Sequence, residues 1–431
     1  MFNIQSFKTP GVVPFLAGQF VALFSGLFGL SVLSWFIVQK FGAAGIAQFY
    51  AVQAAVSCLS YVLLSPIGDR YNKLKLIQST SWLIAFRSIL LAGAAAFPNV
   101  SLATIIALQA INAIAMSIIV PARAAFLPEL VPANELQPAL GIQHSIASVS
   151  RTLGPACAGL ALIEFSPAAC LAAHAAMMVI VCILNLFMPR VESAMSKAKQ
   201  GRRIATWCND ILDSWRIRLQ IPIERYLSLL SMASLIASLP AITMLVPLRI
   251  QSEGWGTQVF GITEACISAG ALLAGLARIT QTISKLSRFG LFMCGCISQG
   301  VFLLVASVTT MPLIFAAAYF FVGFCGTTSG LVLSAQRILA IPKNFRARLT
   351  SSGMTLAMIA GSIGSSLCGF ALEHLQLVTV NIGVSAFILL AAVAYSAIPR
   401  FREFLNLPPE HAEQWYEGEF LSRSRRTAEA A

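Results

Sequence analysis

The chain has 431 residues, of which 57% are hydrophobic and 11% are charged, and its mean hydropathy is +0.79. Soluble domains carry about 25% charged residues. A chain this apolar cannot cover a water-exposed surface, so a water-soluble globular protein is excluded. The formal charge of +12 does not indicate nucleic-acid binding, because the basic residues are spread along the chain and form no single cluster.

Apolar runs of about 20 residues, the length that crosses a bilayer, recur along the whole chain. They predict an all-α membrane protein of twelve transmembrane helices. The predicted spans are 13–38, 44–68, 76–97, 101–122, 137–163, 168–188, 226–248, 257–280, 290–308, 312–334, 350–372 and 377–398.

The basic residues distinguish the two sides of the membrane. Lys40 and Arg249 fall in segments on one side, and Arg87 and Arg151 fall well within spans. The other 25 of the 29 Lys and Arg lie on the opposite side, including Arg278 at the end of the eighth span. Cytoplasmic segments carry such an excess of basic residues. Both termini are therefore predicted to be cytoplasmic, with the chain in a bacterial inner (plasma) membrane.

Two stretches of the chain resemble each other at a constant offset of 210 residues. The matching pairs are Pro132 and Pro342, Asn134 and Asn344, Gly154 and Gly364, and Gly159 and Gly369. They fall at the same place in each set of six spans, which predicts two pseudo-symmetric six-helix bundles. Parallel repeats of this kind occur in transporters whose substrate site lies near the bilayer midplane.

The predicted spans and the repeat divide the chain into four parts. They are an N-terminal six-helix bundle at 1–188, a polar cytoplasmic linker at 189–225, a C-terminal six-helix bundle at 226–398 and a cytoplasmic tail at 399–431. The tail is mixed in charge and is expected to be partly disordered and solvated. Docking of a partner on the tail is the alternative.

The loop after the second span reads SPIGDRYNKLK, residues 65–75. It resembles the loop signature of the major facilitator superfamily, Gly-x-x-x-Asp-Arg-x-Gly-Arg-Lys, which joins the second and third spans. Asp69 and Arg70 match the signature, and Lys73 belongs to its basic end. Asn72 stands in place of the second glycine, and Asn tolerates a left-handed turn nearly as well as Gly does.

This resemblance implies that residues 69–73 form a gating loop. In the superfamily the acidic residue lies against the eleventh span, whose positive N-terminus, here near Thr350, stabilises a carboxylate. Such a bond would hold the two bundles together while the substrate site faces outward. The alternative is an ordinary basic turn on the cytoplasmic side.

The segments 121–159 and 341–348 resemble one branch of that superfamily, which holds macrolide-efflux proteins and the enterobactin exporter. Within the fifth span, Gly154, Pro155 and Gly159 also resemble the antiporter motif of drug exporters. Small residues let helices approach closely, and a proline bends a helix. We interpret these three residues as a helix pivot, with ordinary close packing as the alternative.

Ionisable residues inside spans are costly and are therefore candidates for function. Glu264 in the eighth span and Arg151 in the fifth come from spans that face each other in the superfamily, at similar predicted depth. The hypothesis is an interface pair that couples proton binding to the conformational change. Glu264 is the candidate proton carrier, because a carboxylate that moves between burial and a cationic neighbour can bind and release a proton. A static salt bridge is the alternative.

The resemblance also locates a substrate cavity, because the first, fourth, seventh and tenth spans line it in the superfamily. Gln19, Gln109, Asn112 and Tyr319 are the candidate cavity residues. Arg87 in the third span either binds an anionic group of the substrate or pairs locally. Few charges and many apolar walls suit an amphipathic organic molecule.

The predicted function is that of a secondary-active, proton-coupled exporter that works by alternating access. Its expected substrate is an amphipathic organic compound: a siderophore or metallophore, a drug or a similar metabolite. An importer or a lysophospholipid transporter is the alternative. The sequence has no P-loop signature for ATP and only four scattered His, so no enzyme, metal or cofactor is expected. The expected partners are the substrate, protons and the lipid bilayer, with the chain as a monomer.

Overall fold

The computed structural model describes residues 11–64, 72–131, 136–189, 218–275, 287–340 and 346–408, together with His411 and Trp415. The helices of this described part are α1 (Val12–Leu64), α2 (Lys73–Ala96), α3 (Leu102–Leu130), α4 (Leu136–Glu164), α5 (Pro167–Leu186), α6 (Pro222–Thr243), α7 (Leu245–Ser252), α8 (Gly256–Gly275), α9 (Arg288–Val308), α10 (Pro312–Ala340), α11 (Arg346–His374), α12 (Leu377–Ser396) and α13 (Phe401–Asn406).

The first two predicted spans form the two arms of α1, which is interrupted at Gly42. This residue has φ 64° and ψ −156°, a conformation that a residue with a Cβ atom rarely adopts. The predicted loop between the two spans is therefore reduced to a sharp kink. Lys40 lies next to the kink, and its Nζ donates to the carbonyl of Pro98 at 2.7 Å.

Several helices begin at residues whose side chains accept a hydrogen bond from the first turn, where backbone N–H groups otherwise lack a partner. These capping residues are Asn72, Ser101, Ser166 and Ser287. Asn72 stands in place of the second signature glycine and has φ −58° and ψ 115°, outside the left-handed region. It instead caps α2 by accepting from the backbone N–H of Lys75 at 3.1 Å.

Ten helices of the described residues are long and apolar enough to cross a membrane, with α1 counted once. When the second arm of α1 is counted separately and the 29-residue helix α11 is added, the helices match the twelve predicted spans. Large apolar side chains are exposed along these helices, as at Leu63, Leu313 and Leu390, which fits a surface solvated by lipid. The predicted all-α membrane architecture is confirmed.

The repeat is visible in the helix bounds as well as in single residues. The ranges of α3, α4 and α5, shifted by 210 residues, coincide at both ends with those of α10, α11 and α12. These three helices therefore have the same lengths and the same separations along the chain in both halves.

The chain forms two compact units. Unit 1 contains α1–α5 together with Thr243–Ser268 and the short stretch Ser365–Glu373 of α11. Unit 2 contains α6 as far as Ile242 and the described parts of Ala269–Gly364 and of the chain from His374 onward. Residues 190–217 of the predicted linker lie outside the described residues. The division into 1–188, 189–225, 226–398 and 399–431 stays a prediction.

The predicted cytoplasmic tail contains the short helix α13, which packs on unit 2. Phe401, Phe404 and Leu405 are buried in the same apolar cluster as Phe292 of α9. Gln336 of α10 donates to the carbonyl of Phe404 at 2.9 Å. The first part of the tail is therefore ordered by apolar contacts, which its mixed charge did not predict.

Candidate transport site

A buried polar network connects α1, α2 and α5 within unit 1, and His174 lies at its centre. The Nδ1 atom of His174 is 2.7 Å from the hydroxyl of Ser25, and its Nε2 atom is 3.1 Å from the hydroxyl of Ser88. All three side chains are buried. A buried polar group that finds its partners stabilises one arrangement of the helices, so His174 links α5 to α1 and α2.

Arg87 lies inside unit 1 with 4% of its surface exposed. Its Nε donates to the carbonyl of Leu108 at 3.2 Å, and its Nη2 donates to the side-chain oxygen of Gln109. Both acceptors are neutral, and no ion pair joins Arg87 to another residue of the described part. The local pairing that the sequence left open is thus present, and binding of an anionic substrate by Arg87 stays a prediction.

Glu264 of α8 is buried in unit 1, with 6% of its surface exposed. One turn earlier, the ring of Phe260 stacks on Trp35 of α1 with 4.8 Å between centroids, so this face of α8 packs on α1. Within the described ranges, no ion pair or hydrogen bond connects the Glu264 carboxyl to another residue.

Arg151, the predicted partner of Glu264, is exposed on α4. The helix bounds put Arg151 about 20 Å from the end of α4 and Glu264 about 12 Å from the start of α8. Among the described residues the two form no ion pair with each other. Their joint role in proton coupling stays a prediction.

Gly154 and Gly159 both lie at close contacts of α4. A Cβ atom on Gly154 would lie 2.9 Å from the carbonyl oxygen of Phe24, and one on Gly159 would lie 2.6 Å from the Cα of Gly261. Pro155 lies inside α4 between them. α4 therefore approaches its neighbours closely at both glycines, as ordinary close packing requires. The action of these residues as a helix pivot stays a prediction.

The repeat partners of these glycines make corresponding contacts. Gly364 of α11 packs against the carbonyl of Ile236 in α6, and Gly369 packs against Ala47 in α1, where an added Cβ atom would lie 2.9 Å from the Ala47 Cβ. Gly154 contacts the first predicted span and Gly364 the seventh, whereas Gly159 contacts the eighth and Gly369 the second. The repeat thus extends from matching residues to matching helix contacts.

The predicted gating loop is described only in part. Asp69 and Arg70 lie outside the described residues, so the predicted bond to the eleventh span stays a prediction. Asn72 caps α2, and the Lys73 ammonium forms an ion pair with the carboxylate of Glu129 at the end of α3. This pair ties the start of α2 to the end of α3.

The candidate cavity residues differ in their surroundings. Gln19 accepts a hydrogen bond from Gln143 at 3.0 Å, and Asn112 is half-buried. Tyr319 has 2% of its surface exposed, and its hydroxyl donates to the carbonyl of Ala241 at 3.1 Å. The side chains of Gln109 and Tyr319 thus each make a hydrogen bond within their own unit. The contribution of these four residues to substrate binding stays a prediction.

A buried charge cluster in unit 2 was missed by the sequence analysis. The Glu224 carboxylate is fully buried and forms ion pairs with Arg218, at 3.0 Å, and with Arg337 of α10. Arg218 also donates to Ser228 at 2.5 Å. Glu224 lay in the predicted polar linker, and its place in the first turn of an apolar run, after Pro222, is the signal that marks it as part of a helix.

Comparison with known proteins identifies the family of this chain. The sequence pattern of the Major Facilitator Superfamily matches residues 15–368, which is most of the chain. The chain belongs to the major facilitator superfamily. The family and the transporter function that the loop signature implied are thereby confirmed, and the chain is a membrane transporter, not an enzyme.

One related member of the superfamily is the staphyloferrin A transporter of Staphylococcus aureus (strain NCTC 8325 / PS 47). It is 21% identical over 314 residues, which cover 69% of this chain and 77% of the relative. At this identity the relationship is distant.

Solved structures of superfamily transporters share the fold. The nucleoside transporter NupG superposes with a TM-score of 0.68 at 14% identity, over 90% of this chain and 98% of that chain. A D-xylose–proton symporter superposes with a TM-score of 0.70 at 13% identity, over 94% and 100%. At these identities the likeness concerns the fold alone.

Proposed function

We propose that this transporter is a proton-coupled exporter of an amphipathic organic compound of the siderophore type, and that it works by alternating access in a bacterial inner membrane. The distant relationship to a staphyloferrin A transporter favours a siderophore over a sugar or an inorganic ion. The excess of basic residues on one side favours cytoplasmic termini.

The observation that carries the coupling part of the proposal is the environment of Glu264. The residue is buried in a membrane span, and no ion pair joins it to another described residue. An isolated charge in the membrane interior is costly. Proton binding removes that charge and proton release restores it, so the two conformations of the transporter would differ in their affinity for the proton.

The proposal is tested in inverted membrane vesicles with an acid interior, using labelled staphyloferrin A as the probe. Export from the cell corresponds to uptake into these vesicles, driven by protons that leave. Glu264→Gln is expected to lower this proton-driven uptake by about tenfold or more, since a group without a titratable proton cannot couple. In the Glu264→Gln variant, exchange of labelled for unlabelled probe across the vesicle membrane without a proton gradient is expected to continue.

The matched control is Glu164→Gln, because Glu164 is an exposed carboxylate at the end of α4. It should transport as the native protein does. Proton-driven uptake that is unchanged in Glu264→Gln would contradict the coupling role, and transport only in the opposite direction would contradict export.

A further inference from the structure

Four aromatic residues of α1 lie on one face of its first arm: Phe20, Phe24, Phe28 and Trp35. Steps of four, four and seven residues keep side chains on one side of a helix with about 3.6 residues per turn. We call these four residues the aromatic stripe. They belong to unit 1, as does the start of α8 that packs on Trp35.

The phenylalanine rings of the aromatic stripe stack on one another. The ring centroids of Phe20 and Phe24 are 6.0 Å apart with an interplanar angle of 25°, and those of Phe24 and Phe28 are 6.3 Å apart with an angle of 23°. Aromatic rings attract each other at such separations. The first arm of α1 therefore presents a series of nearly parallel ring faces along its length.

The aromatic stripe is closed at one end and accessible at the other. Toward the kink in α1, Trp35 is 2% exposed and Phe28 is 6% exposed. Phe20 and Phe24, nearer the start of α1, are half-buried. The start of α1 is on the predicted cytoplasmic side, which is the side from which an exporter takes its substrate.

The contact at the closed end indicates what kind of group this stripe accepts. The ring of Phe260 lies on Trp35 with 4.8 Å between centroids and an interplanar angle of 20°, which is a nearly parallel stack. At this point the chain itself covers the stripe with a flat aromatic ring. The half-buried rings of Phe20 and Phe24 offer the same kind of surface to a ring that does not belong to the chain.

A flat aromatic ring gains more from these faces than an aliphatic group of the same size does. Both groups gain from the burial of apolar surface. Only the aromatic ring adds the attraction between its own π-system and the ring on which it lies. The four side chains of the stripe carry no charge, so they select by shape and by ring stacking.

We propose that the aromatic stripe binds a planar aromatic ring of the transported compound, and that Phe20 and Phe24 are the residues that contact this ring. The inference rests on the proposed function as an exporter of an organic compound, and it adds the chemical group by which that compound is recognised. The substrate class is thereby narrowed to compounds that contain an aromatic ring.

The test compares the binding of two neutral probes to the full chain in lipid nanodiscs, by equilibrium dialysis against nanodiscs without protein. The probes are naphthalene-2-carboxamide and its fully saturated analogue, which have the same carbon skeleton and the same amide. Stacking is expected to make the aromatic probe bind about three- to tenfold more tightly. Burial of apolar surface alone would not favour the aromatic probe, because the saturated probe has at least as much of it.

Variants of the two accessible rings locate the preference on the stripe. The double variant Phe20→Leu and Phe24→Leu keeps apolar side chains but removes both rings, so it should bind the two probes about equally. Phe24→Tyr keeps the ring and should retain the preference. The matched control is Phe36→Leu, which removes a ring from the same arm of α1 but from a different face, and it should also retain the preference.

The outcomes separate this inference from the proposed function, because the binding test needs neither a proton gradient nor transport. Equal binding of both probes by the native protein overturns the inference, whether or not the double variant folds. A preference that persists in the double variant overturns the role of Phe20 and Phe24. Loss of the preference in the double variant alone supports the inference, even if proton-driven uptake of staphyloferrin A fails and the proposed function fails with it.

Discussion

Gly159 illustrates, at the scale of one residue, how the absence of a side chain determines a helix contact. The backbones of α4 and α8 meet at Gly159 and Gly261, where an added Cβ atom on Gly159 would lie 2.8 Å from the Gly261 carbonyl oxygen. Backbone atoms cannot turn aside as a flexible side chain can. The contact therefore tolerates only hydrogen at this position.

We expect Gly159→Ala to destabilise the protein by about 1–3 kcal/mol, as overpacking usually does, even though Ala favours a helix by about 1 kcal/mol over Gly. The measurement is the free energy of unfolding in mixed detergent micelles. Gly93→Ala is the matched control, since nothing lies within 4 Å of an added Cβ atom there. An equal effect of both substitutions would show that the contact with Gly261 is unimportant.

At the scale of elements, Glu224 joins the start of α6 to α10 through Arg337, and to the residues before α6 through Arg218. Its carboxylate is fully buried, the Arg218 side chain is 2% exposed and the Arg337 side chain is 21% exposed. Burial of charges is favourable only when each finds its partner. The three residues therefore fix how the ends of these helices meet.

Glu224→Gln removes the carboxylate that these arginines share, and we expect it to destabilise the protein by about 3–5 kcal/mol. The loss should be seen as a lower midpoint of thermal unfolding in detergent. Glu403→Gln provides the comparison, because the Arg400–Glu403 pair is exposed and exposed pairs contribute little. If both variants unfold at the native midpoint, the buried cluster does not stabilise unit 2.

The break in the seventh span shows what an apolar run does not reveal about an element. The run from 226 to 248 predicts one continuous helix, whereas the structure divides it at Met244. Pro240 and Pro247 are visible in the sequence, yet a proline inside a membrane helix is compatible with a mild bend. Only the tertiary structure shows that the Tyr50 hydroxyl of α1 donates to the carbonyl of Thr243 and the Tyr319 hydroxyl of α10 to the carbonyl of Ala241.

At the scale of the whole molecule, the distribution of basic residues predicts the orientation in the membrane. Alkaline phosphatase is active only outside the cytoplasm, so its fusion after Ala431 should be inactive and its fusion after Gly254, between α7 and α8, should be active. The physical reason is the excess of Lys and Arg in the segments that remain inside. The reverse pattern of activity would invert the predicted topology.

The sequence by itself determined the membrane class, the number of spans, the repeat and the superfamily. These properties depend on local quantities: the length of an apolar run, the small residues that recur after 210 positions, and the residues of one loop. The coincidence of α3–α5 with α10–α12 under that shift shows how completely such local signals set the ends of helices.

The tertiary structure alone decided which buried polar groups meet. Tyr50 and Thr243 are 193 residues apart, and Glu224 and Arg337 are 113 apart, so no local pattern links them. The predicted pairing of Arg151 with Glu264 was inferred from span order, and it is not among the ion pairs of the described residues. A buried polar group takes the partner that packing brings within about 3 Å, and packing is a property of the assembled helices.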